Sequence, residues 1–278
     1  MKDVLAGSYS PWRWYPWPPT VIRVVDWNIE RGLQLPGIIR FLEKENADIL
    51  TLQEVDLNAR RTGNRNVAEE IARRLKLNYV YGPEYQEMAE GVRGNRAYTG
   101  QATLSRWPIR NSRVIRFTAQ SGFWEPRWYK PNLPVFQERI GNRIALFSEI
   151  DVAGRSVAVF NLHLESRGAN RLRVAQLAET LAYAGRYPAP LPVLIAGDLN
   201  LDVSGEQSAM AIRGAGFLDA VDTARVPTTI RKGLHPGRSI DRILVRVGFA
   251  STDGVVHDQV RASDHFPISC SVSLTGPG

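Results

Sequence analysis

Val193-Leu194-Ile195-Ala196-Gly197-Asp198-Leu199-Asn200 is the stretch on which the fold turns. Four apolar residues in a row read as a strand buried on both faces. Such a strand does not end in a carboxylate and a carboxamide unless something satisfies them. Residues two apart on an extended chain point the same way, so Asp198 and Asn200 are expected to face one pocket. Gly197 lets the backbone turn or a ligand come close. An oxygen-rich pair at a strand end suits a hard metal ion, a phosphate or an activated water.

The same pattern recurs along the chain. Asp26-Trp27-Asn28-Ile29-Glu30 ends a strand read over residues 21–27, and Gln53-Glu54 ends Ile49-Leu50-Thr51-Leu52. Asn161-Leu162-His163-Leu164-Glu165-Ser166 follows Val157-Ala158-Val159-Phe160. Ser239-Ile240-Asp241-Arg242-Ile243 opens a further strand, and Ser263-Asp264-His265 precedes the last one. Sheet proteins place ligands at strand ends, so one cleft can collect all of these groups. Singly each has a plainer explanation: a turn cap for Asp264, a structural role for His163, an arginine partner for Asp241. All of them at once, all at strand ends, is harder to dismiss. The set holds carboxylates and amides, with no cysteine cluster and no closely spaced histidine pair. That disfavours a structural zinc site and favours Mg²⁺ or Mn²⁺. Neither a G-x-S-x-G elbow nor a P-loop occurs.

Strand and helix patterns alternate between these motifs. Residues 35–45 read as a helix with Ile38, Ile39 and Leu42 on one face, and 67–75 as a helix carrying Ala68, Ile71, Ala72 and Leu75. Residues 79–81 and 102–104 read as strands, 144–150 and 157–162 as a hairpin, 170–183 as a helix. Strands over 240–245 and 268–274 close the sheet. Residues 82–100 are polar and glycine-bearing and read as a loop at the working edge. Residues 122–138 read as a second long loop, with Phe123, Trp124, Trp128, Tyr129 and Phe136 among prolines. Residues 1–20 form an aromatic and proline-rich arm that cannot be helical across Pro11-Trp12-Arg13-Trp14-Tyr15-Pro16-Trp17-Pro18-Pro19. So many aromatics are expected to pack across the domain surface. Residues 21–278 then make one domain of mixed strands and helices.

Bulk composition fits a globular chain: 278 residues, 44% hydrophobic and 23% charged, enough for a real core. The net charge is +7, and the basic excess is nearly all arginine, with lysine only at positions 2, 44, 76, 130 and 232. Arginine suits bidentate phosphate binding, although a GC-rich genome accounts for the bias equally well. The one cysteine, Cys270, excludes an intrachain disulfide and reads as a buried structural thiol. No stretch approaches the ~20 apolar residues that span a membrane. No signal-peptide core stands at the N-terminus, so a cytoplasmic location is expected.

Taken in order, Trp27-Asn28-Ile29-Glu30, Leu52-Gln53-Glu54-Val55, Gly100 through Leu104-Ser105-Arg106-Trp107-Pro108, Asn161-Leu162-His163-Leu164, Gly197-Asp198-Leu199-Asn200, Ile240-Asp241-Arg242-Ile243 and Ser263-Asp264-His265 resemble the endonuclease/exonuclease/phosphatase superfamily, the deoxyribonuclease-I-like fold. The resemblance covers roughly residues 21–275. It implies an α/β fold: a four-layer α/β sandwich of two packed mixed β-sheets flanked by helices, with residues 21–278 as its catalytic domain. It also implies metal-dependent cleavage of a phosphate ester with Mg²⁺, or Mn²⁺, as cofactor. Glu54 would be the principal metal ligand, with Asn28, Glu30 and Asp264 supporting the metal or its waters; the family more often has Asp at the Glu30 position. Asp198 would orient and deprotonate the attacking water, with Asn200 beside it. His163 and His265 would contact the phosphate, and Asp241 would hold His265. Val55-Asp56 stands where abasic-site endonucleases have Thr-Lys, which counts against that branch. His163-Leu164-Glu165-Ser166-Arg167-Gly168, followed by Arg171, Arg173 and Gln176, is similar to the tyrosyl-DNA phosphodiesterase 2 branch. Ser166 and Arg167 would then add phosphate contacts, with Trp124 and Trp128 as a wall for the substrate.

Three readings of function stay open at this point. The first is a phosphodiesterase on DNA, at 5′-blocked or single-stranded ends, working as a monomer in DNA repair. The second keeps the chemistry on a phospholipid or inositol phosphate. The third is a non-catalytic nucleic-acid-binding protein that retains the fold.

Overall fold

The computed structural model describes residues 4–11, 17–92, 94–129, 131–201, 206–230 and 236–275. Two mixed sheets lie face to face with helices on both outer sides, which is the four-layer sandwich the resemblance implies. The strands are β1 Leu5–Ser8, β2 Val21–Arg31, β3 Ile49–Ala59, β4 Arg65–Asn66, β5 Asn78–Val92, β6 Asn95–Ser105, β7 Ile109–Arg116, β8 Arg139–Gly141, β9 Ile144–Val152, β10 Arg155–His163, β11 Val193–Asp198, β12 Phe217–Asp219, β13 Asp241–Arg246, β14 Ser251–Val256 and β15 Ile268–Ser273. The helices are α1 Leu35–Glu45, α2 Val67–Leu75, α3 Asn170–Ala184 and α4 Glu206–Gly214. The first sheet runs β1-β5-β6-β3-β2-β15-β14, with β4 on β3 and β8 on β5; the second runs β12-β13-β11-β10-β9-β7.

Strand periodicity explains the layering. In β2, Ile22 and Val24 point into the space between the sheets while Val25 and Trp27 pack under α1 and α2. In β11, Leu194 and Ala196 face the other sheet while Val193 and Ile195 face α3. Past the exposed Val21, the apolar residues of these strands are therefore buried, which is why they read as continuous runs. Each sheet contains one parallel pair, β2 with β3 and β10 with β11, and each pair is joined through a helix, α1 and α3 respectively. Parallel neighbours end on the same side. That brings Asn28 and Glu54 to one sheet edge and His163 and Asp198 to the adjoining edge of the other.

One expectation needs correcting. Residues 82–100 are not a loop: β5 runs to Val92 and returns as β6 from Asn95. Gly94 does sit in the turn between them, while Pro83 and Gly91 fall at irregular pairings, with register shifts at Pro83/Tyr85 and Glu87/Val92. At Gly100 a Cβ would collide with the Gly82 carbonyl, so glycine here allows close strand approach rather than a turn. The described part of the N-terminal arm lies against the domain. Its Leu5–Ser8 segment is an edge strand on β5, and Tyr9 stacks on Tyr79 at 6.3 Å between ring centroids. Trp12, Trp14 and Tyr15 lie outside the described residues.

Candidate active site

The strand ends converge on one carboxylate oxygen. Asp198 Oδ2 accepts from Asn28 Nδ2 at 3.3 Å and stands 3.6 Å from His163 Nε2 and 3.8 Å from His265 Nε2. These four residues come from both sheets, so the site exists only when the sandwich is assembled. Gly197 is what allows the close packing: its φ is +146°, and a Cβ would collide with the Leu162 backbone. The β2 end is tied to the segment carrying His265 by Trp27 Nε1 donating to the His265 carbonyl (2.9 Å) and Ser263 Oγ donating to the Asn28 carbonyl (2.7 Å).

His265 Nδ1 faces both oxygens of buried Asp241 at 3.0 Å. Burial alone would lower the His265 pKa, but Asp241, then Asp198 and Asp264, overcome it and raise it to about 10. The imidazolium persists at neutral pH, with Nε2 aimed at the cleft. Asp198, Asp241 and His265 place three ligand-type atoms within 4.8 Å of one another. Within this trio His265 is hydrogen-bonded to Asp241, while Asp198 stands 3.8 Å from His265 Nε2.

Glu54 sits in left-handed backbone, φ +49°, at the irregular pairing of β2 with β3. Its Oε2 is 3.2 Å from Arg31 Nη1. Burial would raise the Glu54 pKa, yet Arg31, His163, His265 and Arg143 hold it down at about 2. Glu30 is also in left-handed backbone, φ +44°, and its N–H donates to Asn28 Oδ1 at 3.2 Å. Asp264 directly precedes His265, and its carbonyl accepts from Ile230 N.

Beneath the site a buried polar staple joins the sheets. Gln53 Nε2 donates to Asp26 Oδ1 and to Asn161 Oδ1, both at 2.8 Å, and Asn161 Nδ2 donates to the Leu52 and Ala102 carbonyls. Burial, with Asp241 adding to it, pushes Asp26 well above the usual carboxylate range. Gln53 and Asn161, motif residues in the sequence, thus hold the framework rather than face the cleft.

Asn200 also differs from expectation. Its φ is +48°, so the alternation that places Asp198 in the cleft breaks before it. Its Nδ2 donates to the Leu164 carbonyl at 3.2 Å, and its N–H donates to Asp198 Oδ1 at 2.8 Å. Asn200 therefore ties Asp198 to the chain after β10.

A cavity of about 240 Å³ adjoins Glu54 and His163. Trp124, Ser166 and Arg167 line it; Trp128 does not and is 97% exposed. Arg167 lies over the Phe123 and Trp124 rings at 4.4 and 5.1 Å. Three further lining residues escape sequence reasoning. Glu84 is buried, accepts from Arg143 Nη1 at 2.9 Å, and stands 3.6 Å from His163 Nδ1. Arg143 Nη2 donates to Ser166 Oγ at 2.9 Å. Arg139 spans the Tyr85 and Trp124 rings, 5.4 Å from each. Glu84 lies between Pro83 and Tyr85, inside the span read as a loop, and no local signal marks it.

Fold and site together define a phosphoesterase-type hydrolase built on an α/β sandwich. The chain belongs to the Endonuclease/Exonuclease/phosphatase family, whose sequence profile matches residues 27–265. A search of curated protein sequences finds no match. Among solved structures, an endonuclease/exonuclease/phosphatase from Beutenbergia cavernae superposes with TM-score 0.67 at 21% identity, covering 93% of this chain and 72% of that one. The human Nocturnin catalytic domain with bound sulfate gives TM-score 0.65 at 20% identity, covering 98% and 97%. A humanized D. rerio TDP2 gives 0.60 at 18%, covering 92% and 100%. At these identities the likeness is one of fold.

Proposed function

We propose that the chain is a divalent-metal-dependent phosphodiesterase acting on DNA, at 5′-blocked or single-stranded ends rather than within a duplex. The observation behind the chemistry is the convergence of Asn28, His163 and His265 on Asp198 Oδ2. Asp198 receives the proton of the attacking water, and Asn28 fixes the oxygen that does so. His265, held charged by Asp241, and His163, backed by Glu84, donate to phosphoryl oxygens as charge builds on them. Glu54 and Asn28, assisted by Glu30 and Asp264, would hold the metal. The fit rests on the donor chemistry: these groups offer only oxygen ligands, and Glu54 is held ionised, as a hard cation requires. The ion supplies Lewis-acid stabilisation at the phosphate.

End specificity is supported by the small cavity beside Glu54, lined by Trp124 and Glu84. Arg167, held over the Phe123 and Trp124 rings, puts a guanidinium at this wall, suited to a phosphate oxygen. Incubation with single-stranded and 5′-tyrosyl oligonucleotides plus Mg²⁺ or Mn²⁺, with Asp198→Asn as control, tests the reading. EDTA-sensitive cleavage lost in the variant supports it; no such cleavage of any oligonucleotide overturns the DNA assignment.

One observation favours a second reading. Trp128, Tyr129, Leu133, Val135 and Phe136 are all exposed on the loop beside the cavity. Leu133 and Val135 have no ring for a base to stack on, whereas an acyl interface accommodates both aliphatic and aromatic side chains. A phospholipid phosphodiester is the corresponding substrate. Co-sedimentation with vesicles accompanied by lipid hydrolysis supports it, and absence of both discards it.

A further inference from the structure

Arg31 occupies an unusual position for an arginine. Glu30, Arg31 and Gly32 are successive residues in left-handed backbone, with φ of +44°, +66° and +83°. Gly32 has a reason to be glycine, because a Cβ there would run into Val67. Arg31 has the same conformation without that excuse, in a region that L side chains avoid. Strain of this kind persists where a side chain has work to do. Here the side chain reaches across the irregular β2–β3 pairing to Glu54, itself left-handed, and ends 3.2 Å from its Oε2. Both residues line the cavity that also holds His163, Ser166 and Arg167.

We propose that Arg31 is a competing cation that sets the affinity of Glu54 for its divalent metal. The inference rests on the metal-dependent reading of the site. An ion bound by Glu54 must either share that carboxylate with the guanidinium or displace it, and both weaken binding. A displaced guanidinium stays tethered at the cavity wall, where a phosphate enters, so cation exchange at Glu54 delivers Arg31 toward the substrate. Loose metal binding before substrate arrives, and tighter binding with it, are the consequences.

The test is Mn²⁺ binding without substrate, followed by electron paramagnetic resonance of the free ion, for wild type, Arg31→Gly, Arg31→Gln and Glu54→Gln. Glycine adopts the local backbone without strain and glutamine keeps much of the side-chain length, so the pair separates charge from conformation. Thermal melts show that each variant is folded. Both Arg31 variants are expected to bind Mn²⁺ about two- to fivefold more tightly than wild type at low salt, the scale of removing one partly exposed neighbouring charge. Unchanged or weaker binding in both, with Glu54→Gln losing the ion, overturns the role of Arg31 and leaves the metal reading intact. Wild type and Glu54→Gln binding alike, or neither binding at all, overturns the placement of the metal on Glu54, and this inference with it.

Discussion

Glu84→Gln is the most demanding test of the site, because it touches folding and chemistry through different partners. Glu84 is buried and pairs with buried Arg143 through a 2.9 Å contact. Removing one partner of a buried ion pair leaves the other charge uncompensated and costs ~3–5 kcal/mol. Glutamine retains one acceptor, which places the loss near the lower end, about 3 kcal/mol. For a domain of this size each kcal/mol shifts Tm by ~2–4 °C, so the variant should melt about 6–12 °C lower. The second partner is His163, whose Nδ1 stands 3.6 Å from Glu84 and has no hydrogen-bond partner among the described residues. Without the carboxylate the ring loses the buried acceptor nearest its Nδ1, and a misplacement of about 1 Å is worth ~10²-fold in rate. Melting by circular dichroism and metal-dependent hydrolysis of bis(p-nitrophenyl) phosphate read the two effects separately. A double variant, Glu84→Gln with Arg143→Met, should regain most of the lost Tm, since no buried charge is then stranded. It should regain none of the activity. A single variant that melts like wild type, or a double variant less stable than the single, refutes the reasoning.

Three further outcomes follow from the same geometry. Gly197→Ala forces a Cβ into the Leu162 backbone at the heart of the β10–β11 pair, and should leave no soluble folded chain or a Tm lowered by more than ~10 °C. His265 carries a proton in the folded chain up to about 10, against an ordinary value of about 6.5. The folded state thus binds more protons than the unfolded one between those values; stability from this group is complete below about pH 6.5 and is lost as pH rises toward about 10. Urea unfolding at several pH values should show that decline, and His265→Gln should flatten it. Trp124→Ala should raise KM for a single-stranded oligonucleotide by ~5- to 100-fold, the range of one lost stacking contact, while Trp128→Ala changes it far less. Equal effects from both tryptophans would mean that the wall has been placed on the wrong side of the loop.

What the sequence makes legible follows from how each signal arises. β2, β3, β10 and β11 are apolar on both faces because each is covered by a sheet on one side and helices on the other, and such runs are visible without a structure. The strand-end motifs are legible for a related reason: a polar residue following such a run has nowhere to go but the sheet edge, and parallel neighbours bring those edges together. Legibility stops where the backbone leaves ideal geometry. Asn200 adopts left-handed φ, so alternation mistakes its direction; Glu30, Arg31 and Glu54 sit at an irregular pairing that no period describes. β5 and β6 read as a loop because Gly82, Pro83 and Gly100 are turn residues by habit, yet here they bend a long hairpin around the cleft. That bend carries Glu84 to His163 from 79 positions away in the chain. The two histidines thus have carboxylate neighbours of unequal reach and unequal visibility: Asp241 bonds His265 at 3.0 Å, whereas Glu84 stands 3.6 Å from His163. Asp241 lies on a strand whose end is polar and apolar by turns, while Glu84 is concealed by the very residues that position it. A carboxylate beside a histidine is thus legible where it belongs to a strand-end motif, as Asp241 does, and hidden where it lies inside an irregular hairpin, as Glu84 does.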